Sequence, residues 1–257
     1  MGGMTYTSIE AEKLTTAEYY GKALHDLGVE HPEVVALTAD LAKSTKISAF
    51  AKEFPDRLIN VGIAEQNMFG IAAGLAKNGF VPFASTFAIF AAARSLDQIH
   101  SDICYQNVPV KILASHAGTS FGQAGSTHHS LIDLAVMRSL PHMTVMCPCD
   151  GAEAYKLVKA AYDIPGPVYI RINRGFDAVV YEGGPDSVDF VWNKAATMME
   201  GRDLTIIAIG AGVFQAMQAA RMLKADCGLN VRVLNMHTIK PLDKEAIKRA
   251  VDETGCI

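Results

Sequence analysis

Short apolar runs without polar alternation, each followed by a stretch of helical periodicity, recur along this chain from Val34 to Leu234. A strand that is apolar on every residue is buried on both faces, which requires a parallel sheet covered by helices on each side. The pattern therefore predicts an α/β fold, a doubly wound parallel sheet. Thr15-Thr16-Ala17-Glu18 has capping-box spacing and opens a helix that Gly28 is expected to close. Strands are expected at 34–37, 57–61, 81–85, 110–115, 144–146 and 168–172, with helices at 65–77, 96–105 and 152–162. The 65–77 helix carries small and apolar residues on several faces and is expected to be buried on most sides.

From Asn173 to about Met199 the rhythm lapses into Gly, Pro and acidic residues, including Glu182-Gly183-Gly184-Pro185-Asp186, and reads as a linker. It resumes with strands at 204–209 and 231–234 and helices at 213–225 and 244–252. Two strands make no balanced sheet, so the second α/β domain reads as incomplete at Gly255-Cys256-Ile257. The expected division is a tail at 1–12, a first domain at 13–175, a linker at 176–200 and the start of a second domain at 201–257.

The longest apolar run, 79–93, is broken by Pro82, Ser85 and Thr86 and falls short of the ~20 residues a spanning helix needs. No membrane association is expected. The N-terminus has no basic region followed by an apolar core, and Met4 suggests that the first three residues are an addition. A net charge of −4 argues against a nucleic-acid footprint, which needs a basic face. The five cysteines, an odd number in mostly apolar contexts, read as buried thiols in a reducing, cytoplasmic compartment. Cys147-Pro148-Cys149 lacks redox spacing and reads as structural.

Three segments carry chemistry. In Asn60-Val61-Gly62-Ile63-Ala64-Glu65-Gln66-Asn67, a carboxylate stands at the first turn of an apolar helix. It is either a simple dipole partner or a buried group suited to proton transfer. In Ser85-Thr86-Phe87-Ala88-Ile89-Phe90, an aromatic follows the end of a strand, where open α/β sheets bind ligands. Ser115 to His129 is a glycine-rich loop with His116, His128 and His129, which suit anion binding or proton shuttling better than a metal, since Asp133 is no obvious third ligand.

In this order and spacing the segments resemble the pyrimidine-binding domain of transketolase and its thiamine-diphosphate-dependent relatives. Thr38-Ala39-Asp40-Leu41, Gly62-Ile63-Ala64-Glu65, Ser85-Thr86-Phe87, Ser126-Thr127-His128, Arg138 and Pro148-Cys149-Asp150 fall where that family's motifs fall. Ile206-Ile207-Ala208-Ile209-Gly210 and Ile239-Lys240-Pro241-Leu242-Asp243 resemble the start of its C-terminal domain.

The resemblance implies that Glu65 hydrogen-bonds N1′ of the cofactor aminopyrimidine and promotes its imino form, which takes the thiazolium C2 proton. It implies Phe87 stacked on the pyrimidine with Phe90 in support, and Asp40 and Leu41 near the cofactor at a boundary between subunits. It also implies His128 facing sugar hydroxyls, and Ser44, His116 and Arg174 holding a sugar phosphate, with Arg171 a weaker candidate. Three positions depart from the family: Ala17 for a phosphate-binding arginine, Ala124 for an acidic residue of the glycine loop, and Ala93 for a tyrosine beside the pyrimidine pocket.

No Gly-Asp-Gly…Asn run of the diphosphate-binding domain occurs in the chain. A companion N-terminal subunit is therefore expected to hold the cofactor phosphates and the Mg2+ or Ca2+ ion, in an α2β2 assembly with a homodimer contact. The expected activity is ketol transfer between sugar phosphates by a split transketolase. The alternatives are the equivalent part of a deoxyxylulose-phosphate-synthase-like enzyme, a 2-oxoacid dehydrogenase E1 β subunit, or a decayed domain that only dimerises.

Overall fold

The computed structural model describes residues 15–175 and 177–257. The expected tail at 1–12 and the domain start at 13 lie outside the described residues. Helix α1 (Thr16–Glu30) begins at the capping box: Thr15 Oγ1 accepts from the Glu18 amide at 3.2 Å, and Glu18 accepts from the Thr15 amide at 2.7 Å. It does not stop at Gly28. A Cβ there would stand 2.6 and 2.7 Å from ring carbons of Phe50 and Phe54, so this glycine permits close packing rather than a turn.

Strand β1 (Val34–Thr38) is followed by α2 (Ser48–Glu53), β2 (Leu58–Asn60), α3 (Glu65–Lys77) and β3 (Val81–Phe87). The helix expected at 96–105 is irregular. Phe90–Arg94 and Ile99–Cys104 are π-helical turns on either side of the short α4 (Leu96–Gln98). Next come β4 (Lys111–Ser115), α5 (Asp133–Ser139), β5 (Thr144–Met146), α6 (Gly151–Ala161) and β6 (Val168–Arg171). The remainder is β7 (Ala196–Met199), β8 (Leu204–Ala208), α7 (Gly212–Cys227), β9 (Val231–Asn235), β10 (Thr238–Lys240) and α8 (Lys244–Thr254).

The main sheet has seven strands in the order β10-β5-β6-β4-β3-β1-β2, all parallel except β10, which runs antiparallel to β5. Successive strand residues face opposite sides. Val35 and Leu37 pack with Met68, Phe69 and Ile99, whereas Val34 and Ala36 pack with Tyr20, Leu24 and Leu157. Both faces are thus covered, which explains the uninterrupted apolar strands. Helix α3 covers one face with Met68, Phe69, Ala72 and Ala73, but Gln66, Asn67, Gly74 and Lys77 are exposed, so it is less enclosed than its composition suggests.

The second sheet, β7-β9-β8, has three strands. Ala196–Met199 lies inside the stretch that reads as a linker, yet it pairs antiparallel with β9 as an edge strand. Strand β10 crosses back to extend the main sheet, a pairing that three residues of sequence do not signal. Between the sheets, Asn235 of β9 donates to the buried Glu153 of α6 at 2.8 Å, and the Cys149 amide donates to the other Glu153 oxygen at 2.7 Å. Cys104, Cys147 and Cys149 are buried as expected, but Cys227 and Cys256 are exposed.

Candidate active site

Strand β1 runs first to β2 on one side, and the chain then returns to β3 on the other. That reversal opens a crevice at the carboxyl ends of β1 and β3, the usual ligand position in open α/β sheets. Most candidate residues lie along this edge.

At the end of β1, Asp40 takes a left-handed backbone with φ of 62°. The Asn60 side chain holds this turn. Its Oδ1 accepts from the amides of Asp40 (3.0 Å) and Gly62 (3.1 Å), and its Nδ2 donates to Asp40 Oδ1 at 3.2 Å. The Leu41 amide donates to Thr38 Oγ1 at 3.0 Å. Asn60 therefore ties the Asp40 turn to the loop leading into Glu65. Gly62 has φ of 71°, which suits glycine and lets that loop reverse.

Glu65 is the first residue of α3 and is 2% exposed. Gly62, Ile63 and Ala64 suggest an isolated carboxylate, but the fold supplies a partner from 29 residues away. Arg94 Nη1 lies 2.8 Å from both carboxylate oxygens. Arg94 sits on the π-helical turn that follows β3, with its guanidinium 3.9 Å above the Phe90 ring centroid. No local pattern in the sequence announces this pair.

Phe87 ends β3 and is buried at the centre of an aromatic cluster. Its ring centroid is 5.3 Å from Phe90, 4.0 Å from His116, 5.4 Å from Phe121 and 6.3 Å from His128. Phe90 is less buried and lies 5.4 Å from His128, so the two phenylalanines differ in access. Phe121 escapes notice in the sequence, where its only signal is an aromatic amid the glycines of the 118–125 loop.

His116 is buried with a left-handed backbone, and its Nδ1 lies 2.9 Å from Ser115 Oγ. Burial, with Arg174 and His128 nearby, pushes its pKa down to about 4. At neutral pH it can offer a neutral N–H but no positive charge. His128 is half-buried with Nδ1 2.9 Å from Thr127 Oγ1, while His129 Nε2 is 3.0 Å from the Gly122 carbonyl.

Arg174 follows β6, is exposed, and lies 5.0 Å from the Phe121 ring centroid, so it joins the His116–His128 cluster from outside. Ser44 is exposed in the turn after β1, on the same edge. Arg171 has a different task, because its Nε donates to the buried Asp133 at 2.9 Å and Tyr169 donates to the same oxygen at 3.0 Å. That internal ion pair occupies it and weakens its candidacy as an anion ligand. Arg138 is exposed, with its carbonyl accepting from Lys240 at 3.0 Å. Asp150 caps α6 and also accepts from the amides of Val180 and Tyr181, a structural role.

Ala17 is buried under α1 in the core. Ala124 sits half-buried on a turn of the glycine loop, and Ala93 is exposed and lines a cavity of about 600 Å³ beside Arg94.

A buried carboxylate beside an aromatic wall fits an aminopyrimidine, a flat ring with polar nitrogens. Among the described residues no group of three or more His, Cys, Asp or Glu could hold a metal ion. Among the described residues no helix is long and apolar enough to cross a membrane.

The chain matches the transketolase pyrimidine binding domain over residues 12–176 and the transketolase C-terminal domain over residues 193–257. It is 45% identical over 234 residues to one of the chains of the apulose-4-phosphate transketolase of Phocaeicola vulgatus, covering 91% of this chain and 74% of that protein. It is 38% identical over 256 residues to 1-deoxy-D-xylulose-5-phosphate synthase 1 of Geobacter sulfurreducens, but spans only 38% of that longer protein. Among solved structures, a split gene transketolase described as an inactive beta4 tetramer matches with a TM-score of 0.86 and 47% identity. That match covers 94% of this chain and 77% of the other.

Proposed function

The chain belongs to the transketolase family, and we propose that it is the pyrimidine-side subunit of a two-chain enzyme moving a two-carbon ketol unit between sugar phosphates. The family uses thiamine diphosphate, which when bound supplies the carbon nucleophile that carries the transferred fragment. In this reading Glu65 anchors the aminopyrimidine at N1′ and holds or shares the proton there. Phe87 and Phe90 form the wall against which the ring lies, and Asp40 and Leu41 border it where two subunits meet. The crowded aromatic cluster excludes water around these groups, which strengthens each polar contact.

On the substrate side, His128 reaches sugar hydroxyls and Arg174, with Ser44, engages the anionic group. His116 contributes a neutral hydrogen bond, in keeping with its depressed pKa. The diphosphate and its Mg2+ or Ca2+ ion belong to a partner polypeptide that carries the diphosphate-binding domain, in an α2β2 complex in the cytoplasm. The proposed functional divisions are residues 13–175, a connecting stretch from 176 that ends before β7, and a second unit that takes in β7 as well as 201–257. The likeness to a split gene transketolase, much of whose chain is covered, supports a separate partner. The synthase likeness supports the second reading, in which the same residues serve a deoxyxylulose-phosphate-synthase-like enzyme.

The observation that carries the first reading is a 2%-exposed carboxylate at a helix start, paired with Arg94, whose guanidinium lies over the Phe90 ring just after β3. Its test is reconstitution with the diphosphate-binding partner, followed by assays on phosphorylated and sulfonated ketose donors with aldose phosphate acceptors. Ketol transfer to aldoses supports it. A complex that turns over 2-oxoacids and transfers no ketol unit supports the alternative.

A further inference from the structure

A guanidinium 2.8 Å from both oxygens of a carboxylate draws on the same charge that a proton at a ring nitrogen would use. The two partners compete for that charge and for room at its oxygens. Arg94 also has somewhere else to go. Its side chain is 43% exposed and borders a cavity of about 600 Å³ that Asp97 and His100 also line. Asp97 lies in α4 just beyond the non-helical Ser95 and shares the wall of this cavity with Arg94. Among the described residues its carboxylate accepts from Ser101 alone, at 3.2 Å. The Phe90 ring, 3.9 Å from the guanidinium carbon, gives the side chain a face to pivot on.

We infer that Arg94 is a reversible cover for Glu65, closed on both carboxylate oxygens while the pyrimidine seat is empty and turned toward Asp97 when a ring nitrogen takes them. This rests on the reading of Glu65 as the pyrimidine anchor. Arg94 is then a positioning residue. The closed pair keeps a buried charge compensated before assembly, and its opening is linked to cofactor binding, so the strength of the Arg94–Glu65 contact subtracts from cofactor affinity.

Two substitutions should move that affinity in opposite directions. In the assembled two-chain enzyme, calorimetric titration with thiamine diphosphate and magnesium should give Arg94→Met a Kd about tenfold lower than wild type, because no competitor remains. Asp97→Asn removes the alternative seat and should raise the Kd several-fold. In a Glu65→Gln background, neither change should shift the Kd. An unchanged or raised Kd for Arg94→Met overturns the inference. If that variant fails to assemble, an unchanged Kd for Asp97→Asn, a surface substitution, overturns it instead. Full ketol transfer by Glu65→Gln would instead overturn the reading of Glu65 itself. Loss of transfer in Glu65→Gln with no Kd change in Arg94→Met sinks only the cover.

Discussion

Arg94 Nη1 stands 2.8 Å from both carboxylate oxygens of Glu65, joining a half-exposed cation to a carboxylate that is 2% exposed. Breaking one side of such a pair strands a charge away from water. Without cofactor, Arg94→Met should therefore lower the unfolding free energy of the isolated chain by about 1.5–3 kcal/mol, the usual scale for a hydrogen bond to a charged group. Urea denaturation reads this directly, and a loss below the scatter of the method would mean that the pair contributes nothing to the fold.

Lys111 predicts a pH dependence of stability. It is wholly buried on β4, and its Nζ donates to the carbonyls of Ile164 at 2.5 Å and Gly166 at 2.9 Å. Burial pushes its pKa down to about 7, while an unfolded lysine stays near 10.4. Between these values the unfolded chain binds more protons, so stability rises with pH from about 7 toward 10 and is lost as pH falls back. The slope from this group approaches about 1.4 kcal/mol per pH unit. Unfolding at pH 7.5 and 9 should show the rise in wild type and a flatter profile in Lys111→Met. Equal slopes would show that Lys111 is charged in the folded state.

Arg174 is the exposed cation beside the His116–His128 cluster. In the reconstituted enzyme, Arg174→Ala should lower kcat/KM about ten- to a hundredfold for anionic substrates, and change it little for uncharged ketoses. Equal losses for both classes would mean that Arg174 does not read the anion. Ala124 leaves the glycine loop without a carboxylate, so discrimination at the hydroxyl near it should be weak. A panel of epimeric donors tests this, and strict selectivity at that hydroxyl would contradict it.

The purified chain alone should bind thiamine diphosphate weakly. The residues that fit the cofactor address its pyrimidine, and unpaired phosphate charge disfavours binding. Titration with cofactor and magnesium should release little heat until the partner polypeptide is added. Tight binding by this chain alone would refute the division of the site.

Much of the fold was legible because burial on both faces makes parallel strands mostly apolar without polar alternation, as in residues 34–37, 112–114 and 168–170. Strand β7 was hidden because an edge strand such as Ala196–Met199 is only half-buried, and β10 because it follows β9 after two residues and pairs antiparallel with β5, outside the βα rhythm. Gly28 misled because close packing and helix termination both select glycine. In the site, Glu65 and Phe87 were readable from their places at a helix start and a strand end. The Arg94 contact and the Phe121 packing were not, since both depend on which loops the sheet edge brings together.

Everything proposed for the site turns on whether this chain contributes the carboxylate that handles the proton at the cofactor pyrimidine. Glu65→Gln keeps the shape of the side chain while removing its capacity to hold that proton. The direct measurement is exchange of the cofactor C2 proton with deuterium, followed by NMR in the assembled complex, with folding and assembly checked in parallel. Exchange should slow by about a hundredfold or more in the variant, on the scale of a lost general acid–base group, with assembly intact. Exchange as fast as in wild type would contradict the role assigned to Glu65.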